Sequence, residues 1–376
     1  MRRRVFLGAC LTAPILLPAS SQAGVGSSER DFQLRFLSAA QSRLGEHSII
    51  GLNALGEVLV EHAIPSRGHS FAMSKSGHTA VIARRPANFC LILDAQGNLI
   101  TEMTAIDNRH FYGHGIYDLN SQFLYLTEND FVEKRGVVGV YDVAKNYQRV
   151  GEFSSGGLGP HEIMLSTSGE QLIVANGGIE THPETGRKKL NLDSMRPSIA
   201  FLNRRDGELL SATPLPAHQH ANSIRHIDVS DDNVVYLAMQ NQNKNQAKVL
   251  LAKIKQGGNT IEKITLPANV EDKLDDYVGD MALDISQQFL AASSPYGNTL
   301  IVKSLNDEQV LSEEIMDVCA ISKSSIEGEF IVTSGTGSIY RIQCKLDDVG
   351  QLTLQQSLIS SFQGQQSWDN HLLVKT

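Results

Sequence analysis

Four short segments of the chain share one design. Gly68-His69-Ser70-Phe71, Gly113-His114-Gly115-Ile116, Pro160-His161-Glu162-Ile163 and Arg225-His226-Ile227-Asp228 each put a histidine at the head of a strand-like run. A turn and then an apolar strand follow each one. In the unit headed by His69 the strands read His69–Ser74, His78–Ala83, Phe89–Leu93 and Leu99–Ala105, with Ser76-Gly77 and Gln96-Gly97-Asn98 as hairpin turns. Further units begin near Gly279-Asp280 and at Asp317. A four-stranded unit recurring at roughly 45 residues buries its faces only against copies of itself, and a ring of such units is a WD40-like β-propeller.

Both ends of the chain carry incomplete units. Three strands, around Phe32–Ala39, Ser48–Asn53 and Glu57–His62, lack a first strand, and Trp368–Val374 is a first strand with nothing after it. Pairing them supplies a seventh blade and removes the sheet edges. The expectation is an all-β, seven-bladed β-propeller closed by its N- and C-terminal strands, as one domain over residues 24–376. Helical periodicity is nearly absent. A pair of β-sandwiches is the alternative, and it explains the orphan strands less well.

The composition is that of a globular protein, with 41% hydrophobic and 20% charged residues. The net charge is -8, and no Lys/Arg cluster exists beyond the N-terminus, which argues against nucleic acid as a partner. Arg2-Arg3-Arg4-Val5-Phe6-Leu7, a short apolar run and Ser21-Gln22-Ala23 read as a signal peptide over residues 1–23. The arginines followed by Val-Phe-Leu resemble the twin-arginine export signal, so the expected location is the periplasm. The apolar run is too short for a stable membrane span. Cys90, Cys319 and Cys344 remain after cleavage, each in a β-patterned stretch that suits a small buried apolar residue. The periplasm permits a Cys319–Cys344 disulfide but nothing demands one.

In a propeller the first strand of each blade lines the central channel, and its start shares a face with the loop between the second and third strands. Two residue sets therefore meet at one mouth. His69, His114, His161 and His226 form the first column, continued by Arg225, Asp280, Asp317 and Asp369 or Asn370. The loops add Arg84-Arg85-Pro86, Glu128-Asn129-Asp130, the segment from Asn176 to His182, Gln240–Asn243 and Ser294–Gly297. Converging neutral imidazoles bind copper, iron or zinc. Arg225 and protonated His226 could instead bind an anionic small molecule through charge-assisted bonds. The bland alternative is a wet pore whose polar groups only solvate the strand starts. Candidate metal ligands are His69, His114, His161 and His226; candidate ligand-binding residues are Arg225, Asp280, Asp317, Asn370, Glu128, Asn129 and Asn176. The common hydrolase, nucleotide and haem motifs are absent.

Several runs carry a family resemblance. They are Arg109-His110-Phe111-Tyr112-Gly113-His114-Gly115, Leu126-Thr127-Glu128-Asn129-Asp130, Gly136-Val137-Val138-Gly139-Val140-Tyr141-Asp142, Gly159-Pro160-His161-Glu162 and Val174-Ala175-Asn176-Gly177-Gly178-Ile179-Glu180-Thr181-His182-Pro183, with Lys189-Leu190-Asn191-Leu192-Asp193, Ser223-Ile224-Arg225-His226 and Trp368-Asp369-Asn370-His371. With these the chain resembles the bacterial family labelled domain of unknown function 1513. The match spans the mature chain and is looser from Lys244 to Gln365. The resemblance implies a twin-arginine-exported periplasmic propeller whose gene neighbours include imelysin-like proteins and haem-type oxidoreductases of iron uptake. It supplies no catalytic residue. The functional expectation is a metal or small-ligand site at the His-rich mouth, as an accessory in iron or other metal uptake. A metal-dependent enzyme, either a lactonase-like hydrolase or an oxidase, and a protein-interaction scaffold are the alternatives.

Overall fold

The structure is a computed structural model that describes residues 32–375; the signal-peptide reading of residues 1–23 lies outside them. Seven four-stranded antiparallel sheets account for the fold. Blades one to six span residues 68–104, 109–154, 160–214, 222–263, 280–314 and 318–361. The innermost strands are Gly68–Met73, Arg109–Tyr117, Pro160–Leu165, Asn222–Val229, Asp280–Leu283, Val318–Lys323 and Gln366–Val374. Each touches the next, and the last touches the first, so the sheets form a closed ring. Blade seven is composite, with Gln366–Val374 pairing with Phe36–Ser42, followed by His47–Leu52 and Val58–Ile64. The seven-bladed propeller and its terminal closure are as the repeats predict. The one α-helical turn among the described residues is Ala268–Glu271, and no helix there is long and apolar enough to cross a membrane.

Alternation along the strands puts apolar side chains on both faces of each sheet, so the core divides into seven layers between adjacent blades. Ile173, Ile199 and Phe201 of blade three pack on Ile224, Val235 and Leu237 of blade four. At the closure, Trp368 joins Phe36, Ile50, Ile331 and Ile339. Burying one such side chain contributes about 1.5–3 kcal/mol, and the contribution recurs at each interface. Cys90, Cys319 and Cys344 are buried and unpaired, so no disulfide links Cys319 to Cys344.

One feature of the inner strands positions the site. Five of them bulge where they carry a histidine. Ladder pairing jumps from Gly68 to Phe71, from Phe111 to Gly115, from Pro160 to Glu162 and from Ile224 to His226. In the closing strand it jumps between Trp368 and Leu372. A bulge sets extra residues against one partner, bends the strand and re-aims a side chain. Here it turns one histidine from each of five blades toward the axis.

Candidate functional site: a histidine layer across the pore

His69, His114, His161, His226 and His371 form a layer across the axial pore. Neighbouring ring centroids are 4.6 Å apart for His69 and His371, 4.7 Å for His114 and His371, and 4.9 Å for His69–His114, His161–His226 and His226–His371. All five are buried. Three sets offer ligand atoms within 4.8 Å of one another: His69, His114 and His371; His114, His161 and His226; and His226, Asp280 and His371. Two nitrogens bound to one ion at about 2.1 Å are at most about 4.2 Å apart, so ring movements under about 1 Å close these sets.

Each ring has one buried nitrogen without a hydrogen-bond partner: Nδ1 in His69, His161 and His226, and Nε2 in His114 and His371. Carboxylates flank the layer. Glu162 places Oε1 3.3 Å from His114 Nδ1 and Oε2 3.3 Å from His226 Nδ1. Asp280 Oδ2 lies 3.4 Å from His371 Nδ1, and Asp369 Oδ1 lies 3.8 Å from His69 Nδ1. At His114 and His371 the carboxylate faces Nδ1 and leaves Nε2 free, the arrangement that fixes ring orientation and raises the basicity of the other nitrogen in metal sites; at His69 and His226 it lies against the same Nδ1 that has no hydrogen bond.

The chain belongs to the family described as "Protein of unknown function (DUF1513)". The match covers residues 62–375. No curated protein matches. Among solved structures, a hypothetical selenium-binding protein from Sulfolobus tokodaii superposes with a TM-score of 0.64 at 11% identity, covering 91% of this chain and 93% of that one. The periplasmic gluconolactonase of Pseudomonas aeruginosa gives 0.60 at 13%, covering 89% and 99%. Hydrazine synthase of Kuenenia stuttgartiensis gives 0.60 at 12%, covering 91% and 100%. At such identities the likeness is one of fold.

Burial is the first cause that holds His69, His114 and His161 neutral. His69 and His161 are pushed well below the ordinary histidine range by burial, then by His371 and His114 for the former and by Arg225 for the latter. Burial lowers His114 to about 4, although Glu162 pulls the other way. Burial also opposes protonation of His371, but Asp280 outweighs it and leaves that ring raised. Burial disfavours the Glu162 carboxylate, yet His114 and His226 together hold it below its usual range. Neutral rings over most of the layer keep lone pairs available at neutral pH.

The pore opens on both sides of the layer. A cavity of about 470 Å³ at the blade-start mouth has His69, His161 and His226 as its floor. A narrower one of about 220 Å³ reaches His114, His371, Glu162 and Asp280 from the other side. Arg225, Asp317 and Asn370 line the larger cavity with Arg84, Arg85, Gln240 and Tyr296 from the inter-strand loops. Asp280 sits below, accepting the backbone N–H of Ile321 at 2.9 Å beside His371.

Three candidates lie elsewhere. The second strand of blade two continues through Asp130, so Glu128 and Asn129 belong to the sheet, not to a loop. Glu128 accepts from Tyr141 Oη at 2.6 Å and Arg149 Nη2 at 2.9 Å. Asn129 donates to the Thr181 carbonyl at 3.2 Å. Asn176 also ends a strand and is held by Ser155, whose Oγ donates to its Oδ1 at 2.8 Å. Asn129 and Asn176 secure backbone and Glu128 holds two side chains, all away from the cavity. Sequence reasoning passed over His371 by aligning the tail at Asp369 and Asn370; Asn370-His371 repeats the phase of Arg225-His226. It also passed over Arg187 and Lys189, which reach the cavity from the long loop between Asn176 and Pro197.

Proposed function

We propose that this chain is a periplasmic propeller that holds one transition-metal ion, copper, iron or zinc, on the imidazoles of His69, His114, His161, His226 and His371. It would serve as an accessory in iron or other metal acquisition, beside partners such as imelysin-like proteins. The observation that carries the reading is the set of five buried imidazoles, each with a nitrogen that has no hydrogen bond, two of them, His114 and His371, backed by a carboxylate on the opposite nitrogen. Leaving five such atoms unsatisfied in a buried pore is costly, and an ion that accepts their lone pairs removes that cost. Imidazole donors suit these metals; a hard-oxygen site for calcium or magnesium would look different. Asp280, the one carboxylate within the clustered donors, can add an oxygen ligand.

Elemental analysis of protein purified from the periplasm, followed by titration of chelator-treated protein, tests the reading. One equivalent of metal is expected, with loss of most affinity in His114→Ala and His371→Ala. Protein that is isolated metal-free and takes up no copper, iron or zinc on titration overturns it.

The cavity opening onto three of the five rings favours a second reading, in which the same ion assists hydrolysis or oxidation of a small molecule at an open coordination position. Turnover of a lactone or other small substrate by metal-loaded protein, absent in His161→Ala, would establish it. No turnover across the panel would leave metal binding as the function.

A further inference from the structure

The cavity above the histidines is lined by cations that the protein does not neutralise. Arg67, Arg84, Arg85, Arg187, Lys189 and Arg225 all face it, and Asp317 is the one carboxylate in its lining. Arg67 is spoken for by its ion pair with Asp369. Among the described residues the other five form no direct ion pair, and Asp369 acts on Arg84 only at longer range while it is held by Arg67; Arg225 Nη2 donates to Gln240 Oε1 at 2.8 Å and Lys189 to Gln242. Arg85 and Arg225 are each only 7% exposed. Arg85 Nη1, Arg84 Nη1 and Arg225 Nε are buried with no hydrogen-bond partner. A desolvated guanidinium without a counter-charge is expensive. Five cations without an ion pair on one cavity stand out in a chain of net charge -8.

We propose that this cavity binds a small molecule carrying two or more carboxylate or phosphate groups. The cations come from three blades: Arg84 and Arg85 from blade one, Arg187 and Lys189 from the long loop of blade three, and Arg225 from blade four. Charges spread around a ring suit a ligand with anionic groups at separate ends. Guanidinium forks pair with carboxylate or phosphate in bidentate fashion. A volume of about 470 Å³ is that of a small-molecule site and is far larger than one ion needs. The loop carrying Lys189 is built in place: Asn191 accepts the Glu180 N–H at 2.7 Å and donates to the Gly178 carbonyl at 2.9 Å. Mutual repulsion supports the geometry. Burial, and after it the neighbouring arginines, lower Lys189 to about 8. The proposal does not depend on an ion in the histidine layer.

Calorimetric titration of chelator-treated mature protein at low ionic strength tests it, with citrate, pyrophosphate and neutral glycerol as probes. Saturable one-site binding of citrate or pyrophosphate is expected, with none for glycerol, and the tighter of the two anions identifies carboxylate or phosphate as the natural group. Affinity should fall about tenfold or more in Arg225→Gln and in Lys189→Gln, and should weaken with added salt. Arg205→Gln, which removes an exposed cation outside this cavity, should bind as wild type does, and because the protein is metal-free the result stands apart from the fate of the metal reading. Lys189→Gln lies on a loop and keeps the test valid if Arg225→Gln does not fold. The proposal is overturned if neither anion binds, if only an acidic polypeptide such as polyglutamate binds, or if Lys189→Gln leaves the affinity unchanged.

Discussion

Glu162 reaches across a blade boundary to His114, its Oε1 3.3 Å from the ring Nδ1. Its other oxygen lies 3.3 Å from His226 Nδ1 and accepts the Ile227 N–H at 2.8 Å. One carboxylate thus ties together the inner strands of three consecutive blades and orients two candidate ligands. Glu162→Gln keeps the shape but removes the charge and replaces one acceptor with a donor. Metal affinity should fall about 10- to 100-fold, the usual cost of losing a carboxylate behind a histidine ligand, with little change in thermal stability. Competition with a chromogenic chelator measures it, and an affinity equal to wild type would sever Glu162 from the site.

The propeller was legible because period-two strands, turn residues and two orphan ends are local signals that agree with one ring. The site was half legible. His69, His114, His161 and His226 announce themselves by shared phase, but in the tail Asp369 and Asn370 compete with His371 for that phase, and nothing in the pattern decides among three polar residues set against Ala39. The cationic cavity was hidden for another reason. Arg84, Arg187 and Arg225 lie far apart in the chain, and only ring closure gathers them, so no basic run exists to be read. Glu128 was misplaced because its strand runs to Asp130, longer than its turn signals suggest.

Trp368 lies in the closing strand, 2% exposed, with its ring 5.4 Å from Phe362. It fills the interface between blade six and the composite blade, where the two ends of the chain must hold together. Trp368→Ala should destabilise the protein by about 3–5 kcal/mol through lost burial and the cavity left behind. Urea unfolding checks this. A shift of the midpoint worth under about 1 kcal/mol would show that closure does not depend on this side chain.

Blade two carries a charge network at its outer edge. Glu152 takes hydrogen bonds from Arg135 Nη2 at 2.6 Å and Arg149 Nη2 at 2.8 Å. Burial raises its carboxyl, but the arginines prevail and bring it down to about 2. Its folded value is below its unfolded one, so the unfolded chain binds the extra proton between the two. The stabilisation is present above about pH 4.5 and is lost as pH falls toward about 2. The group is part-exposed, so screening holds the effect to the order of 1 kcal/mol. Thermal melts of wild type and Glu152→Gln should differ most at about pH 6, less at about pH 3, and converge only toward about pH 2. A gap that widens in acid has the wrong sign for this account.

Gly113 shows how closely the backbone is fitted to the histidine layer. Its φ is 118°, a left-handed value that side chains rarely adopt, and a Cβ there would come within 2.3 Å of His69 Cδ2. Its carbonyl also accepts the Ser70 hydroxyl at 2.7 Å, which pins the bulge of the neighbouring strand. Gly113→Ala should therefore strain the backbone by about 1–3 kcal/mol and push the His69 ring off the axis. Metal affinity should drop about tenfold or more, since one ligand of the layer is displaced. Gly151→Ala is the control, because nothing lies within 4 Å of a Cβ at that position. If the two variants bind copper, iron and zinc equally well, His69 takes no part in the site.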